Sequence, residues 1–211
     1  MVGDEGAEED GVEGLAFLDR LLASDANFSN HSKGRTQKAM DVGAGVGRVT
    51  KTILLKRYGQ VRLVEGDAAL SKRSRTYLGK KRCANGRCTF TCAMLQNLQN
   101  LPPDEESYDV VWVQWCLQYL TDVDVILAIK NLASSLTEKT GYLIIKENRP
   151  YGSARGDRFQ MDTPSCSGRY DITRTDNHHR LLFQRAGLVV VLAEEGVETN
   201  TYALVDGGTV V

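Results

Sequence analysis

The densest chemical signal in the sequence is Asp41-Val42-Gly43-Ala44-Gly45-Val46-Gly47-Arg48, where glycines alternate at the point where a strand-like run gives way to a helical period. Glycine reaches positive φ without a Cβ penalty and lets backbone amides approach a bound molecule, so this turn suits a ligand cradled between strand and helix. The spacing is G-x-G-x-G, not the G-x-G-x-x-G of dinucleotide enzymes, and on its own it equally describes a tight turn with no ligand. Glu65 sharpens the reading. It ends the next strand pattern about 20 residues on, where an acidic side chain can accept hydrogen bonds from both hydroxyls of a ribose. The plainer alternative for Glu65 is an acid that serves only the dipole of the helix behind it.

A frame must hold these residues, and the pattern supplies one. Strand-like runs at 39–42, 61–65, 87–92, 108–114 and 142–147 alternate with helical periods at 46–58 (Val46, Val49, Ile53 and Leu54 on one side), 68–78 and 122–135, the last with Thr121 as N-cap. That rhythm predicts βαβ units, a parallel sheet and right-handed crossovers. Residues 148–171 break it, carrying Pro150, Gly152, Gly156, Pro164 and Gly168, and a loop this long inside a compact domain is usually functional. Thr173 or Thr175 can then cap a helix running to 186, and 188–193 and 201–205 close the domain as a pair of strands. Residues 1–38 read as an acidic frayed start, one helix (Leu15, Leu18, Leu21, Leu22) and a polar linker; residues 39–206 read as the domain proper. Ligands of such sheets bind beyond the carboxyl ends of the strands, so the segments after Val42, Val64, Val113 and Lys146 should line the pocket.

The glycine turn together with Glu65 resembles the cofactor site of the class I S-adenosylmethionine-dependent methyltransferases. Further stretches narrow the resemblance: Val113-Gln114-Trp115-Cys116-Leu117-Gln118-Tyr119-Leu120-Thr121-Asp122, Lys146-Glu147-Asn148, Gly156-Asp157-Arg158-Phe159 and Ile172-Thr173-Arg174-Thr175-Asp176. These are similar to the eukaryotic protein N-terminal (α-N) methyltransferases, which methylate the free α-amine of Xaa-Pro-Lys chain starts, over residues 39–205. The resemblance implies an α/β fold with a Rossmann-like, seven-stranded, mostly parallel sheet flanked by helices. It also implies S-adenosyl-L-methionine as cofactor, S-adenosyl-L-homocysteine as product, and N-terminal peptides of proteins as partners of a monomeric enzyme. By the same resemblance Gly43, Gly45 and Arg48 hold the methionine end of the cofactor, Glu65 its ribose, and Leu95 and Gln96 the adenine region. Gln114 reaches the cofactor from the fourth strand, while Trp115, Tyr119 and Asn148 face the substrate. An aromatic face suits a proline ring, and an amide can both donate and accept at a peptide end.

Displacement at a sulfonium methyl needs a neutral amine lone pair held in line. An α-amine has a pKa near 8, so about one in ten is neutral at pH 7, and each methylation must follow loss of a proton to a carboxylate, an imidazole or water. Tyr119 stands where many relatives carry histidine, and a phenol is a poor base near pH 7, so an aspartate is expected to accept the proton. The family's acidic pattern is broken in the expanded loop. Asp162 is the first choice, Asp157 matches a shorter spacing from Asn148, and Asp171 is a second acid suited to a substrate lysine; each could equally be a solvated loop carboxylate. Relatives usually carry a glycine-rich N-terminal turn that closes over the cofactor. This chain starts with an acidic stretch instead, so the gene model is truncated, another element acts as lid, or the cofactor is held weakly.

Composition limits the alternatives. Lys plus Arg number 26 against 27 Asp plus Glu, a formal charge of -1, so no overall field draws the chain to nucleic acid or an anionic membrane. The basic run from Lys72 to Arg87 carries a single aromatic, Tyr77, with no interleaved series, and reads as a solvated face. Apolar runs fall short of the roughly 20 residues that span a bilayer, and the acidic start is no signal peptide. Five cysteines without a CxxC pair fit free thiols in a reducing compartment, cytoplasmic or nuclear, and no residue set suggests a metal. Trp112 is expected in the core and Trp115 at a pocket wall. Two other functions stay open: a small-molecule methyltransferase on the same fold, and a catalytically impaired cofactor-binding relative.

Overall fold

The computed structural model describes residues 4–24, 37–100, 107–150, 156–161, 170–196 and 198–207. Its strands are β1 (Lys38–Val42), β2 (Gln60–Glu65), β3 (Cys88–Cys92), β4 (Val110–Gln114), β5 (Tyr142–Asn148), β6 (Arg158–Met161), β7 (Tyr170–Thr173), β8 (Leu188–Glu195) and β9 (Thr199–Asp206). Seven form one sheet in the order β3-β2-β1-β4-β5-β9-β8. The first five run parallel, β9 returns antiparallel to β5, and β8 antiparallel to β9. The expected sheet is therefore the one observed, and the order reverses between β1 and β4, where crossovers on opposite faces leave a crevice.

Helices α1 (Asp4–Ser24), α2 (Arg48–Thr52), α3 (Ala68–Arg82), α4 (Asp122–Ala133) and α5 (Asp176–Arg185) cover the two faces. Every residue of β4 is buried, as a parallel strand covered on both sides must be, and its alternation splits the core in two. Val111 and Val113 pack with Val125, Ile129, Leu182 and Phe183 from α4 and α5, while Val110 and Trp112 pack with Phe17, Leu18, Leu21 and Val49 from α1 and α2. Trp112 is fully buried, the core residue it was expected to be.

Four boundaries depart from the pattern. The helix expected over 46–58 is α2 followed by a single 3-10 turn, Leu54–Lys56. Gly47 sits at φ 87, so helical geometry starts only at Arg48, and the β-branched Val49, Thr50, Thr52 and Ile53 crowd one another until Ile53 leaves the helix. In α3 the expected end at Leu78 coincides with Gly79, which is non-helical although the assigned helix continues to Arg82. The segment 148–171 contains β6 and, with β7, an antiparallel hairpin in place of an unbroken loop. The acidic start is helical from Asp4 onward; most of the expected linker lies outside the described residues. Thr121 caps α4 as expected, and of the two threonines offered for α5 it is Thr175 that accepts the His178 N–H, at 3.3 Å.

Candidate active site

The glycine turn leaves β1 with Gly43 at φ 68 and Gly45 at φ 55, and the Gly43 and Ala44 amides donate to Val64 O at 2.8 and 3.1 Å. A Cβ on Gly43 would lie 1.9 Å from Cys116 Sγ, whereas over Gly45 there is open space; the first glycine is required by crowding and the second faces a cleft. Beneath the turn, buried Asp41 accepts from Thr50 N at 3.0 Å and Thr50 Oγ1 at 2.6 Å. Burial pushes its carboxyl up to about 6 against those hydrogen bonds. Asp41 thus ties the turn to α2. Glu65 Oε2 accepts from Gly45 N at 2.7 Å and Oε1 from Asp67 N at 2.8 Å, so its carboxylate is oriented by the same turn and each oxygen keeps lone-pair capacity toward the cleft.

Two adjoining lobes open at the carboxyl ends of the strands. One, of about 700 Å³, is lined by Glu65, Asp67, Leu70, Leu95 and Gln96 with Val42 and Val64. The other, of about 830 Å³, is lined by Arg48, Gln114, Lys146, Gln118 and Asn148, with Glu9, Asp10 and Glu13 from α1 as its far wall. Gly43, Gly45, Trp115 and Tyr119 belong to both. The structure therefore brings together all the residues expected at the cofactor, and Trp115, Tyr119 and Asn148 with them.

Trp115 follows β4 at φ 55, a backbone state that costs a bulky residue of order 1 kcal/mol or more and persists only where neighbours impose it. Here they do. Trp115 N donates to Lys146 O at 3.0 Å, and Glu147 Oε1 accepts the Cys116 and Leu117 amides at 2.8 and 2.7 Å. Fully buried Arg174 donates to Leu117 O and Leu120 O. The Glu147 carboxyl, 2% exposed, is pushed up to about 7 by burial, which outweighs the amides and Arg174. Trp115 Nε1 is buried and has no hydrogen-bond partner among the described residues. Nearby, Asn148 Nδ2 donates to Gln118 Oε1 at 3.0 Å, leaving the Asn148 carbonyl oxygen as an acceptor, while Tyr119 is half-exposed at the rim.

At the α1 wall a carboxylate sits among cations. Asp10 is paired with Arg48 Nη1, and its Oδ1 accepts from Lys146 Nζ at 2.7 Å and from Gln114 Nε2 at 2.9 Å. The Arg48 guanidinium lies 4.7 Å from the Trp115 ring centroid, a cation–π distance. Burial works against the Asp10 charge, but Lys146 and Arg48 outweigh it and hold the carboxyl below its usual range.

Of the three loop acids expected at the substrate, the two that are described stand elsewhere. Asp157 accepts from Thr175 N at 2.7 Å and is bonded to His178 Nδ1 at 2.6 Å, which clips the β6–β7 hairpin to the start of α5. Asp171 lies in β7 opposite Gln160, and neither aspartate is among the residues lining the two lobes. Asp162 falls outside the described residues. Sequence reasoning missed Asp10, Lys146 and Gln118. The signal for Asp10 was present: Asp10, Gly14, Phe17, Leu18 and Leu21 form one helical stripe, all buried. A Cβ on Gly14 would meet Ile53 Cδ1 at 2.4 Å, so that glycine lets α1 pack directly on the core.

Glycine cradle, ribose-height carboxylate and open lobes fit S-adenosylmethionine, and the comparisons agree. A solved Leishmania major structure described as a SAM-dependent methyltransferase superposes with a TM-score of 0.70 at 28% identity, covering 96% of this chain and 74% of that one. A glycopeptide N-methyltransferase solved with S-adenosylmethionine shares the fold at a TM-score of 0.63 and 13% identity, over 85% of this chain and 91% of that one. Fold and cleft define a class I S-adenosylmethionine-dependent methyltransferase. A sequence model of the AdoMet dependent proline di-methyltransferase family matches residues 7–203, and the chain belongs to that family. Similar relatives include the Schizosaccharomyces pombe "Alpha N-terminal protein methyltransferase 1", 33% identical over 94% of this chain and 83% of its own, and the Danio rerio "N-terminal Xaa-Pro-Lys N-methyltransferase 1", 33% identical over 85% and 71%.

Proposed function

We propose that the protein transfers methyl groups from S-adenosylmethionine to the free α-amine of protein N-termini of the Xaa-Pro-Lys type, the substrate named for its relatives. The observation that carries this reading is the placement of Trp115 and Asn148 in the lobe adjoining the glycine cradle. When bound, the cofactor supplies an electrophilic methyl on a sulfonium centre.

The chain's own residues then divide the work. Glu65, Leu95 and Gln96 hold the nucleoside end in the smaller lobe, and Gly43, Gly45, Arg48 and Gln114 hold the methionine end. Trp115 presents an aromatic face to the proline ring, Tyr119 borders it, and the Asn148 carbonyl oxygen accepts from the substrate's first residue. Positioning supplies most of the rate, because holding the amine in line removes the entropy cost of a bimolecular encounter. Proton loss precedes each transfer. With Asp157 engaged by His178 and Thr175, we assign that aspartate to holding the hairpin and leave the proton to Asp162; Asp171, outside both lobes, could meet only a substrate residue that extends beyond them.

Mass spectrometry of a synthetic Ser-Pro-Lys peptide incubated with protein and cofactor tests the reading. Mass gains in steps of one methyl, confined to the α-amine, are expected. An unmodified peptide, with cofactor binding intact by calorimetry, would point instead to a small-molecule acceptor.

A further inference from the structure

α1 brings into the cleft a carboxylate that no part of the glycine turn or the β4 and β5 ends provides. Asp10 is 7% exposed, and Lys146, 3% exposed, and Arg48 both pair with it. Asp10 thus stands between two cations, with buried Asp41 also facing Arg48 from below the turn; Glu13, which reaches Lys146 at 3.1 Å, is largely in solvent and screened. Removing one partner from such a buried group of charges is costly, and Arg48 and Gln114 line the lobe beside it.

The Gln114 amide is fixed by the same contact. Trp112 Nε1 can only donate, and it donates to Gln114 Oε1 at 3.0 Å, so Gln114 Nε2 must face Asp10 and the cleft. Arg48 engages Asp10 through Nη1, which leaves guanidinium N–H groups for a second acceptor. Without Asp10, Lys146 and Arg48 would repel one another and the Gln114 amide would lose its stop.

We propose that Asp10 is a positioning residue for the methionine end of the cofactor: from α1 it aims Arg48 and Gln114 so that their remaining donors receive the amino-acid carboxylate. This rests on the methyltransferase reading. Asp10 itself touches neither the reacting sulfur nor the amine, so its removal should act on binding rather than on the chemical step.

The test compares two ligands by calorimetry: S-adenosylhomocysteine, which has the amino-acid end, and 5′-methylthioadenosine, which has the same nucleoside thioether without it. Asp10→Asn should weaken S-adenosylhomocysteine at least tenfold and leave 5′-methylthioadenosine within twofold. Equal affinities of variant and unsubstituted protein for S-adenosylhomocysteine would overturn the positioning role, as would a parallel loss for both ligands, which marks general damage to the cleft. If Asp10→Asn does not fold, Asp10→Glu keeps the charge and moves it by one methylene. It should show a smaller loss confined to S-adenosylhomocysteine, and no loss or an equal loss on both ligands would overturn the role. Failure of the unsubstituted protein to bind either ligand overturns the methyltransferase reading, and this proposal with it.

Discussion

Glu147→Gln isolates the carboxylate that holds the backbone behind Trp115. Glutamine keeps a carbonyl oxygen for the Cys116 and Leu117 amides, now 2.8 and 2.7 Å from Glu147 Oε1, but it does not titrate. Burial raises the Glu147 carboxyl from an ordinary 4.5 to about 7. A raised carboxylate binds its proton more tightly folded than unfolded, so its stabilising contribution is complete below pH 4.5 and lost as pH climbs through 7. The interval from 4.5 to about 7, at 1.36 kcal/mol per pH unit, is worth about 3 kcal/mol. Urea unfolding of both proteins at pH 5 and pH 8 measures it: the stability of Glu147→Gln relative to the unsubstituted protein should improve by about 2–3 kcal/mol between the two. Asp41 and His179 titrate in both proteins and cancel in the difference. A gap that is the same at both pH values would refute a buried, titrating Glu147. Glu147→Ala should instead be less stable at either pH, by about 2–5 kcal/mol, because two buried amides lose their acceptor.

Glu65→Ala should weaken S-adenosylhomocysteine by about 1.5–3 kcal/mol, the loss of charge-assisted hydrogen bonds; an unchanged dissociation constant by calorimetry contradicts its place at the ribose. Asn148→Lys should abolish methylation of a Ser-Pro-Lys peptide while cofactor affinity stays within about twofold, since RT ln 2 is only about 0.4 kcal/mol, and normal turnover in this variant removes Asn148 from the substrate side. Asp157→Ala should lower stability by about 1–2 kcal/mol through the loss of the Thr175 and His178 contacts. Its turnover at saturating substrate should be retained; a lost turnover at unchanged stability would make Asp157 the proton acceptor after all.

What the sequence revealed and what it concealed follow from the range of the interactions involved. The cradle was legible because glycine identity encodes backbone conformation directly, and Glu65 because strand length fixes its height above the sheet. Trp115 was legible only as a type and a place at a strand end; its left-handed backbone is imposed by Glu147 and Arg174, which reach it from β5 and from the end of the hairpin. The interior of 148–171 was opaque because the β6–β7 pairing is an edge contact between exposed residues such as Phe159 and Met161, with no buried face to impose alternation. Asp10 was concealed for a different reason. Its neighbours Glu8 and Glu9 are exposed acids; the helical stripe marks Asp10 as inward-facing, but nothing local shows that its cations lie 38 and 136 residues away.

That last contact bears on how a cationic substrate is handled. Glu9, Asp10, Glu13, Asp41 and Glu198 line the larger lobe against Arg48 and Lys146 alone. Such a lining attracts a peptide bearing an ammonium and a lysine, and speeds its encounter at low salt. The same field favours the protonated amine, so it opposes the deprotonation that the chemistry requires. The conflict is relieved by separating the two effects in space. Asp10 and Asp41 are spent on Arg48, Lys146 and Thr50, whereas Glu13, though it reaches Lys146, lies largely in solvent at the exposed wall. In the proposed arrangement, with the proline ring against Trp115 and the first residue at Asn148, an amine drawn past that wall would be partly desolvated, which lowers its pKa. Attraction then acts mainly on the approach and on the lysine, and proton loss is eased at the point of transfer.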